Sequence, residues 1–195
     1  MAHGAIRSGF VFSILTVFML AVTAPAAAEL PMPKMGADKM YTEPWFKAPA
    51  YDLQQDLAAA KTDGKQLIII WEQVGCTFCQ KMHKVHFRNQ IMVDFITNNF
   101  YVIKLDMRGE KTITDFDGKT MSEAKLARHH GVNGTPNIEF INADGEEVFR
   151  MPGYAEPLIF YGVLDYVVSG GYKTASLGDW LNERFADGKD PLAGG

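Results

Sequence analysis

Residues 66–79 read Gln-Leu-Ile-Ile-Ile-Trp-Glu-Gln-Val-Gly-Cys-Thr-Phe-Cys and combine an apolar run with a pair of cysteines. Its first part, Leu67–Trp71, is apolar at every position, which is typical of a central strand covered on both faces. Val74–Gly75 then turns the chain into two cysteines separated by two residues, and helical spacing of apolar residues begins at Phe78. The stretch therefore predicts a buried strand, a turn, and a cysteine pair at the start of a helix.

The chain contains two cysteines in all, Cys76 and Cys79. A disulfide between them closes a very small loop and is expected to stabilise the fold by only about 2 kcal/mol. A redox-active role therefore explains the pair better than a structural cross-link. At a helix start, unpaired N–H groups and the helix dipole favour a thiolate and lower the pKa of the first cysteine. We therefore expect Cys76 to attack a substrate disulfide, and the less exposed Cys79 to resolve the mixed disulfide.

The rest of the chain alternates strand and helix patterns around this motif. The cysteine helix, with Phe78, Met82 and Val85 predicted on one apolar face, is expected to bend near residues 87–89, and residues 107–121 are expected to form a small hairpin. Further strands are predicted at 101–105, 137–141 and 147–151, and further helices at 52–62, 92–99, 122–130, 157–169 and 176–185. This order predicts an α/β chain with the thioredoxin-like fold, a mixed central sheet with helices on both faces.

Residues 1–28 have the pattern of a secretory signal peptide. Arg7 precedes an apolar stretch at 10–22, and Ala26–Ala28 forms a small-residue cleavage site. The apolar stretch is too short to span a bilayer comfortably, although an uncleaved amphipathic anchor is an alternative. We therefore predict export.

Three further segments follow the signal peptide. We predict an N-terminal extension on the surface at 29–50, a thioredoxin-like domain at 51–187 and a flexible tail at 188–195. The net charge of −4 is carried without long runs of one sign, so nothing indicates a nucleic-acid partner or an anionic membrane surface.

Pro136 stands at the entrance of the predicted strand 137–141, where a proline is awkward in a central strand. Some 57 residues after the cysteine pair, we expect the Thr135–Pro136 peptide bond to be cis, exposing the backbone of Thr135 to an incoming substrate strand. An ordinary trans-proline turn is the alternative. Thr135 and Pro136 are therefore predicted to position the substrate.

Several motifs together resemble bacterial exported thioredoxin-like proteins. They are Gly75–Cys79, Gly131–Pro136, Gly145 and Gly153–Tyr154. A narrower resemblance, to SoxW-type thioredoxins, is carried by Trp71–Cys76, Lys81–His83 and Gly171–Thr174. The resemblance implies a periplasmic protein without a bound cofactor. A membrane thiol transporter would keep it reduced, and it would pass electrons to disulfides of exported proteins.

The chain departs from thioredoxin itself at the buried aspartate, whose place is taken by Ile70. Glu72 is our candidate for proton transfer to and from Cys79, and a solvated strand-end carboxylate is the alternative. Strong disulfide oxidases place a histidine between the cysteines, whereas Thr77 and Phe78 offer no charge. The prediction is a reductase, with a disulfide oxidase or isomerase as the alternative.

Other readings compete for the same residues. Cys76, Cys79, His83 and His86 could bind zinc or copper as C-x2-C-x3-H-x2-H, but four ligands within 11 residues would strain the geometry. We therefore expect no metal, and expect His83 and His86 to be exposed or to influence Cys79.

Covalent haem attachment uses the motif C-x-x-C-H, in which a histidine follows the second cysteine directly. This chain has Gln80 at that position, which excludes haem attachment. A non-catalytic chaperone or adaptor with the same fold is a third class, which the retained cysteines disfavour. His129 and His130 are expected to carry positive charge at a helix C-terminus. Phe78, Met82, Phe95 and Phe160 are expected in the core, some of them bordering the active site.

Overall fold

The computed structural model describes Met1, Gly4 and residues 29–193, so the predicted signal peptide lies almost entirely outside the described residues. The strands are β1 (Lys34–Met35), β2 (Tyr41–Thr42), β3 (Gln66–Glu72), β4 (Phe100–Asp106), β5 (Thr112–Thr114), β6 (Thr120–Ser122), β7 (Asn137–Ile141) and β8 (Glu147–Pro152). The helices are α1 (Leu53–Thr62), α2 (Thr77–Val85), α3 (Gln90–Asn99), α4 (Glu123–His129), α5 (Pro157–Val168) and α6 (Leu177–Arg184). In this part of the chain, no helix is both long enough and apolar enough to cross a membrane.

Four strands form the central sheet in the order β4-β3-β7-β8. β3 pairs in parallel with β4 and antiparallel with β7, and β8 continues the sheet antiparallel to β7. The predicted mixed sheet is thus confirmed, with β3 at an interior position. The hairpin expected between residues 107 and 121 is present as the antiparallel pair β5–β6.

Both faces of the sheet are covered by helices, as predicted. Ile68 and Ile70 of β3 face a core that includes side chains of α2, α3 and α5. Leu67, Ile69 and Trp71 face the opposite core, to which α1 and α4 contribute. Successive side chains on a strand point to opposite faces, so an unbroken apolar run needs a covering layer on each side. This double burial fixes the end of β3, from which the cysteine motif projects.

The face that α2 buries differs from the predicted one. Phe78 is 57% exposed, so its predicted place in the core is wrong, and Val85, predicted on the same apolar face, is 40% exposed. The buried stripe consists of Cys79, Met82, His83 and, in the 3-10 turn that follows the helix, His86. These positions follow the i, i+3, i+4, i+7 spacing of one helix face. The stripe therefore carries two histidines into the core beneath the cysteine pair.

The N-terminal segment (residues 29–50) packs against the domain rather than merely lying over it. The Lys47 N–H donates to the Val102 carbonyl at 2.8 Å, which adds the segment to the edge strand β4. The Trp45 ring meets the Phe87 ring edge-on, with centroids 5.1 Å apart. Leu30 exchanges hydrogen bonds with Arg88 through its N–H and its carbonyl. At the other end of the chain, Leu192, in the segment predicted to be a flexible tail, packs on the same core.

A charged cluster is buried on the α4 side of the sheet. Glu139, fully buried on β7, accepts hydrogen bonds from Trp71 Nε1 at 2.8 Å and from His130 Nδ1 at 3.0 Å. His130 Nε2 contacts Asp115 at 3.0 Å, and the Arg150 guanidinium lies 3.3 Å from Glu139. Burial lowers the pKa of His130, but the hydrogen bonds and charges of Glu139 and Asp115 outweigh it and raise that pKa to about 9. His130 is therefore a cation that joins α4 to the sheet.

Candidate active site

The cysteine pair sits where β3 passes into α2. Gly75 turns the chain with a φ of +80°, a conformation that residues with a Cβ rarely adopt. Cys76 is the N-cap of α2, and its Sγ accepts the Cys79 N–H at 3.1 Å. The two cysteines form a disulfide with their Cα atoms 5.3 Å apart. The sulfur of Cys76 is therefore held at the positive end of the helix dipole, where a thiolate is stabilised after reduction.

Cys76 is the more exposed of the two cysteines, at 8% against 3% for Cys79. Two apolar side chains beside the pair are open to solvent: Val74 is 54% exposed and Phe78 is 57% exposed. The Phe78 ring stacks on the Tyr154 ring with centroids 5.9 Å apart. The disulfide thus lies at an apolar surface, with one sulfur nearer to an incoming chain than the other.

Thr135 and Pro136 lie at the same end of the sheet as the cysteine motif. Asn137 of β7 pairs with Trp71 of β3, so Pro136 lies level with the end of β3, where the chain leaves for Cys76. The Thr135–Pro136 peptide bond is cis. Among the described residues, the backbone N–H and C=O of Thr135 have no hydrogen-bond partner. The site thus presents an unpaired stretch of backbone beside the cysteines.

Glu72, the last residue of β3, is buried at 1% exposure, so the alternative of a solvated strand-end carboxylate is wrong. Its Oε1 lies 2.9 Å from His83 Nε2, and the other ring nitrogen of His83, Nδ1, lies 2.6 Å from Glu43 Oε1. Burial lowers the pKa of His83, but the hydrogen bonds to Glu43 and Glu72 outweigh it and raise that pKa above its ordinary value. One imidazole thus bridges two buried carboxylates beneath the disulfide.

The expectation that His83 and His86 are exposed is wrong, since they are 0% and 1% exposed. His86 Nε2 lies 2.9 Å from the Ala155 carbonyl, and burial lowers its pKa to about 4, so the ring is neutral near pH 7. Sequence reasoning missed this burial, although the spacing of both histidines from Cys79 and Met82 on one helix face would have revealed it.

The metal-binding alternative required Cys76, Cys79, His83 and His86 to form one ligand set. Both ring nitrogens of His83 are instead engaged by carboxylates, and His86 Nε2 is engaged by a backbone carbonyl. Over residues 29–193, the His, Cys, Asp and Glu side chains form no group of three or more arranged to hold a metal ion. His83 thus uses both ring nitrogens for hydrogen bonds within the protein, whereas His86 uses Nε2 and leaves Nδ1 buried without a hydrogen-bond partner.

A small cavity connects Glu72 with both cysteines. Its lining includes Glu72, Gln73, Cys76 and Cys79, and its volume is about 10 Å³, close to the room that one water molecule needs. Gln73 Oε1 is buried without a hydrogen-bond partner in the protein. The cavity therefore has room for about one water molecule beside Glu72 and the two cysteines.

Comparisons with known proteins agree with this architecture. Solved structures similar to the chain include a thioredoxin-fold protein from Helicobacter pylori, at 22% identity and a TM-score of 0.52, covering 63% of this chain and 81% of that one. A putative disulphide-isomerase from Bacteroides thetaiotaomicron is similar at 24% identity and a TM-score of 0.51, covering 67% of this chain and 94% of that one. At these identities the likeness shows the fold. No curated protein sequence matches the chain.

A family match gives the firmer assignment. The family model described as a thioredoxin-like domain matches residues 53–168, more than half of the chain. The matched residues include the cysteine motif, the Thr135–Pro136 bond and all four strands of the central sheet. With its fold, its redox-type cysteine pair and this match in agreement, the chain belongs to the thioredoxin-like domain family.

Proposed function

We propose that the protein is an exported, periplasmic thiol–disulfide oxidoreductase that reduces disulfides in other exported proteins. The observation that carries this proposal is the disulfide between Cys76, the N-cap of α2, and the more buried Cys79. A pair in this position can cycle between disulfide and dithiol, because the helix end stabilises the Cys76 thiolate and the second thiol stays within reach.

The reaction transfers two electrons in two exchanges. The Cys76 thiolate attacks one sulfur of the substrate disulfide, forming a mixed disulfide and releasing the first substrate thiolate, which takes a proton from solvent. Cys79 then loses its proton and attacks Cys76 Sγ, which forms the Cys76–Cys79 disulfide and releases the second substrate sulfur as a thiolate, which takes a proton from solvent. A dithiol donor must reverse the second step to restore the reduced enzyme. The membrane thiol transporter implied by the SoxW-type resemblance is our proposed donor.

The surroundings of the cysteines support a protein substrate. Val74 and Phe78 offer exposed apolar surface beside Cys76, and the unpaired backbone of Thr135 can hydrogen-bond an extended segment of substrate. We propose that Thr135 and Pro136 position that segment, and that Glu72 accepts the proton of Cys79. Export is supported by Arg7, the apolar residues 10–22 and Ala26–Ala28.

Trapping the mixed disulfide tests the assigned roles. The reduced Cys79→Ser variant is mixed with scrambled ribonuclease, and covalent complexes are followed on non-reducing gels. We expect a complex that dithiothreitol dissolves, because the mixed disulfide on Cys76 can no longer be resolved. The matched Cys76→Ser variant should trap little, since Cys79 is the more buried sulfur. Trapping by Cys76→Ser alone would reverse the two roles, and trapping by neither would overturn the proposed function.

A further inference from the structure

Glu43, His83 and Glu72 form a buried, hydrogen-bonded cluster at the cavity that Cys76 and Cys79 also line. The side chains of these residues are 5%, 0% and 2% exposed. A neutral imidazole has one N–H donor, yet both ring nitrogens of His83 face carboxylate oxygens, at 2.6 and 2.9 Å. One additional proton must therefore reside in the cluster for both contacts to be hydrogen bonds. Without that proton, one of the two buried carboxylates would face a ring nitrogen that carries no hydrogen. Burying a charge without such a partner costs folding free energy.

The cluster reaches the reacting sulfurs through Glu72. Glu72, Cys76 and Cys79 line the same cavity of about 10 Å³, in which a water would also satisfy the buried Gln73 Oε1. That water would link the Glu72 carboxylate to the sulfur of Cys79. With a water in this cavity, the cluster and the sulfur of Cys79 would be joined by one polar path.

We propose that Glu43 and His83 are positioning residues for proton transfer at Cys79, so that the N-terminal segment is part of the active site. This inference rests on the proposed function. During resolution, the S–H bond of Cys79 breaks and its proton passes through the water to Glu72 as the Cys79–Cys76 bond forms and the Cys76–substrate bond breaks. His83, held by Glu43, reorients its hydrogen bonds to keep the added charge balanced, and the proton later leaves to solvent.

Glu43 lies in the N-terminal segment, outside the part of the chain that matches the family. Glu43 precedes the residues 53–168 that match the family. The N-terminal segment is fixed beside it by the Lys47–Val102 backbone hydrogen bond and by the packing of Trp45 on Phe87. Chain outside the matched domain therefore supplies one of the two carboxylates that fix the imidazole.

Among the described residues, the other titratable groups beside the cluster lie on the N-terminal segment and on α2 with the turn that follows it. Tyr41 and Lys39 of the N-terminal segment line the shared cavity, and the Tyr41 ring lies 5.7 Å from the His83 ring. Lys84 of α2 lies over the outer side of Tyr41, at 5.3 Å from the ring centroid. His86, on the next turn, is neutral near pH 7. The phenyl rings of Phe46 and Phe87 complete the surroundings of His83. The pH response of resolution should thus be set chiefly by the cluster and the thiols.

The test compares Glu43→Gln with Asp38→Asn. Glutamine keeps the shape of Glu43 and a hydrogen bond to His83 but removes the charge. Asp38 is a solvent-facing carboxylate of the same segment, 43% exposed and paired with Lys104. The reduced proteins react with a fluorescent peptide disulfide in single turnovers from pH 5.5 to 9. We measure the rate at which the mixed disulfide resolves, and confirm folding by circular dichroism.

We expect Glu43→Gln to slow resolution at pH 7 by about tenfold, the lower range of what a positioned acid–base group contributes. Its rate should rise with pH until the loss is largely recovered near pH 9, where Cys79 deprotonates without help. Asp38→Asn should match the wild type. His83→Gln should show the same loss and the same pH dependence, which makes the result independent of the stability of one variant.

One further comparison distinguishes a failure of the cluster's role from a failure of the proposed oxidoreductase function. In the Cys79→Ser background, Glu43→Gln should leave the rate of mixed-disulfide formation within about twofold, because the cluster acts on Cys79 and not on the attack by Cys76. If mixed disulfides form normally but Glu43→Gln and Asp38→Asn resolve them alike at every pH, the role of the cluster is refuted while the proposed function stands. If no mixed disulfide forms in any variant, the proposed function itself fails.

Discussion

Raising the pH should weaken the fold through His130. This residue joins the carboxylates of Asp115 and Glu139 at 3.0 Å on each side, and its pKa in the folded protein is raised to about 9. A group whose pKa is raised by folding stabilises the folded state fully below its unfolded pKa, near 6.5. That contribution is then lost as the pH rises through the folded pKa. The free energy of unfolding should therefore fall between pH 6.5 and pH 9.5.

The size of the fall follows from the same values. The pKa of His130 lies about 2.5 above its ordinary value, and each pKa unit corresponds to 1.36 kcal/mol, so complete linkage gives a ceiling of about 3.4 kcal/mol. The imidazole is 12% exposed, and Glu139 also pairs with Arg150. Each of these two facts makes the free energy of unfolding depend less on the charge of His130. We therefore expect a loss of about 2 to 3 kcal/mol from this residue.

Urea unfolding of the oxidised protein at several pH values provides the assay. His130→Gln removes the cation, so at pH 6.5 it should be less stable than the wild type by about 3 kcal/mol. The difference should narrow by about 2 to 3 kcal/mol at pH 9.5, where the wild-type imidazole has lost most of its charge. His129→Gln is the matched control. His129 Nε2 lies 3.7 Å from the same Asp115, but its side chain is 53% exposed, so solvent screens the contact and this variant should stay within about 0.5 kcal/mol of the wild type throughout. A difference between His130→Gln and the wild type that is constant from pH 6.5 to 9.5 would refute this reasoning.

Two substitutions elsewhere test the substrate surface and a helix cap. Phe78→Ala should lower the rate at which the protein reduces a protein disulfide by about fivefold, which corresponds to roughly 1 kcal/mol of lost contact. The rate of reduction of oxidised glutathione should stay unchanged. Equal losses with both substrates would argue against an apolar docking surface. Asp52→Ala should cost about 1 kcal/mol in thermal unfolding, because the Asp52 carboxylate caps α1 by accepting the N–H groups of Gln54 and Gln55. Ser122→Ala is its control, since Ser122 is the N-cap of α4 but makes no capping hydrogen bond, and a loss as large as that of Asp52→Ala would contradict the assignment.

The order of strands and helices could be predicted because its signals are local. The run Leu67–Trp71 is apolar on both faces, and only an interior strand covered on both sides accommodates that pattern. Pro157 begins α5 as expected, and the break predicted near residues 87–89 falls between α2 and α3, where Asn89 caps the second helix. Periodicity and capping are properties of neighbouring residues, so the sequence displays them directly.

The surroundings of the cysteines were less accessible to sequence reasoning. Glu72 was identified by its position beside the motif, but the partner that makes it part of a cluster, His83, was expected to be exposed. The helical spacing of His83 from Cys79 and Met82 indicates that it is buried, but its partner Glu43 lies 40 residues earlier in the chain, and no spacing rule links the two. The exposure of Phe78 was missed for a related reason. Its apolar side chain suggested the core, whereas the stripe through Cys79 decides which face of α2 is buried.

The charged cluster on the other face shows the same limit. His130 was expected to interact with a helix end, and it does follow the last residue of α4. Its strongest partners, however, are Glu139 on β7 and Asp115 in the β5–β6 hairpin, which come together only in the folded sheet. A charged residue in the middle of an apolar strand such as Asn137–Ile141 is the signal that a buried partner exists, although the sequence does not say which residue it is.

Cys76 and Cys79 are proposed to form a reversible redox couple that delivers electrons to disulfides. Its most direct test is the reduction potential of the pair, measured by equilibrating the protein in defined thiol–disulfide buffers at pH 7 and quantifying the dithiol after alkylation. We predict a two-electron couple closer to the −270 mV of thioredoxin than to the −120 mV of a strong oxidase. A value near −120 mV would reverse the direction of electron flow, and the absence of any reversible couple would contradict the proposed function altogether.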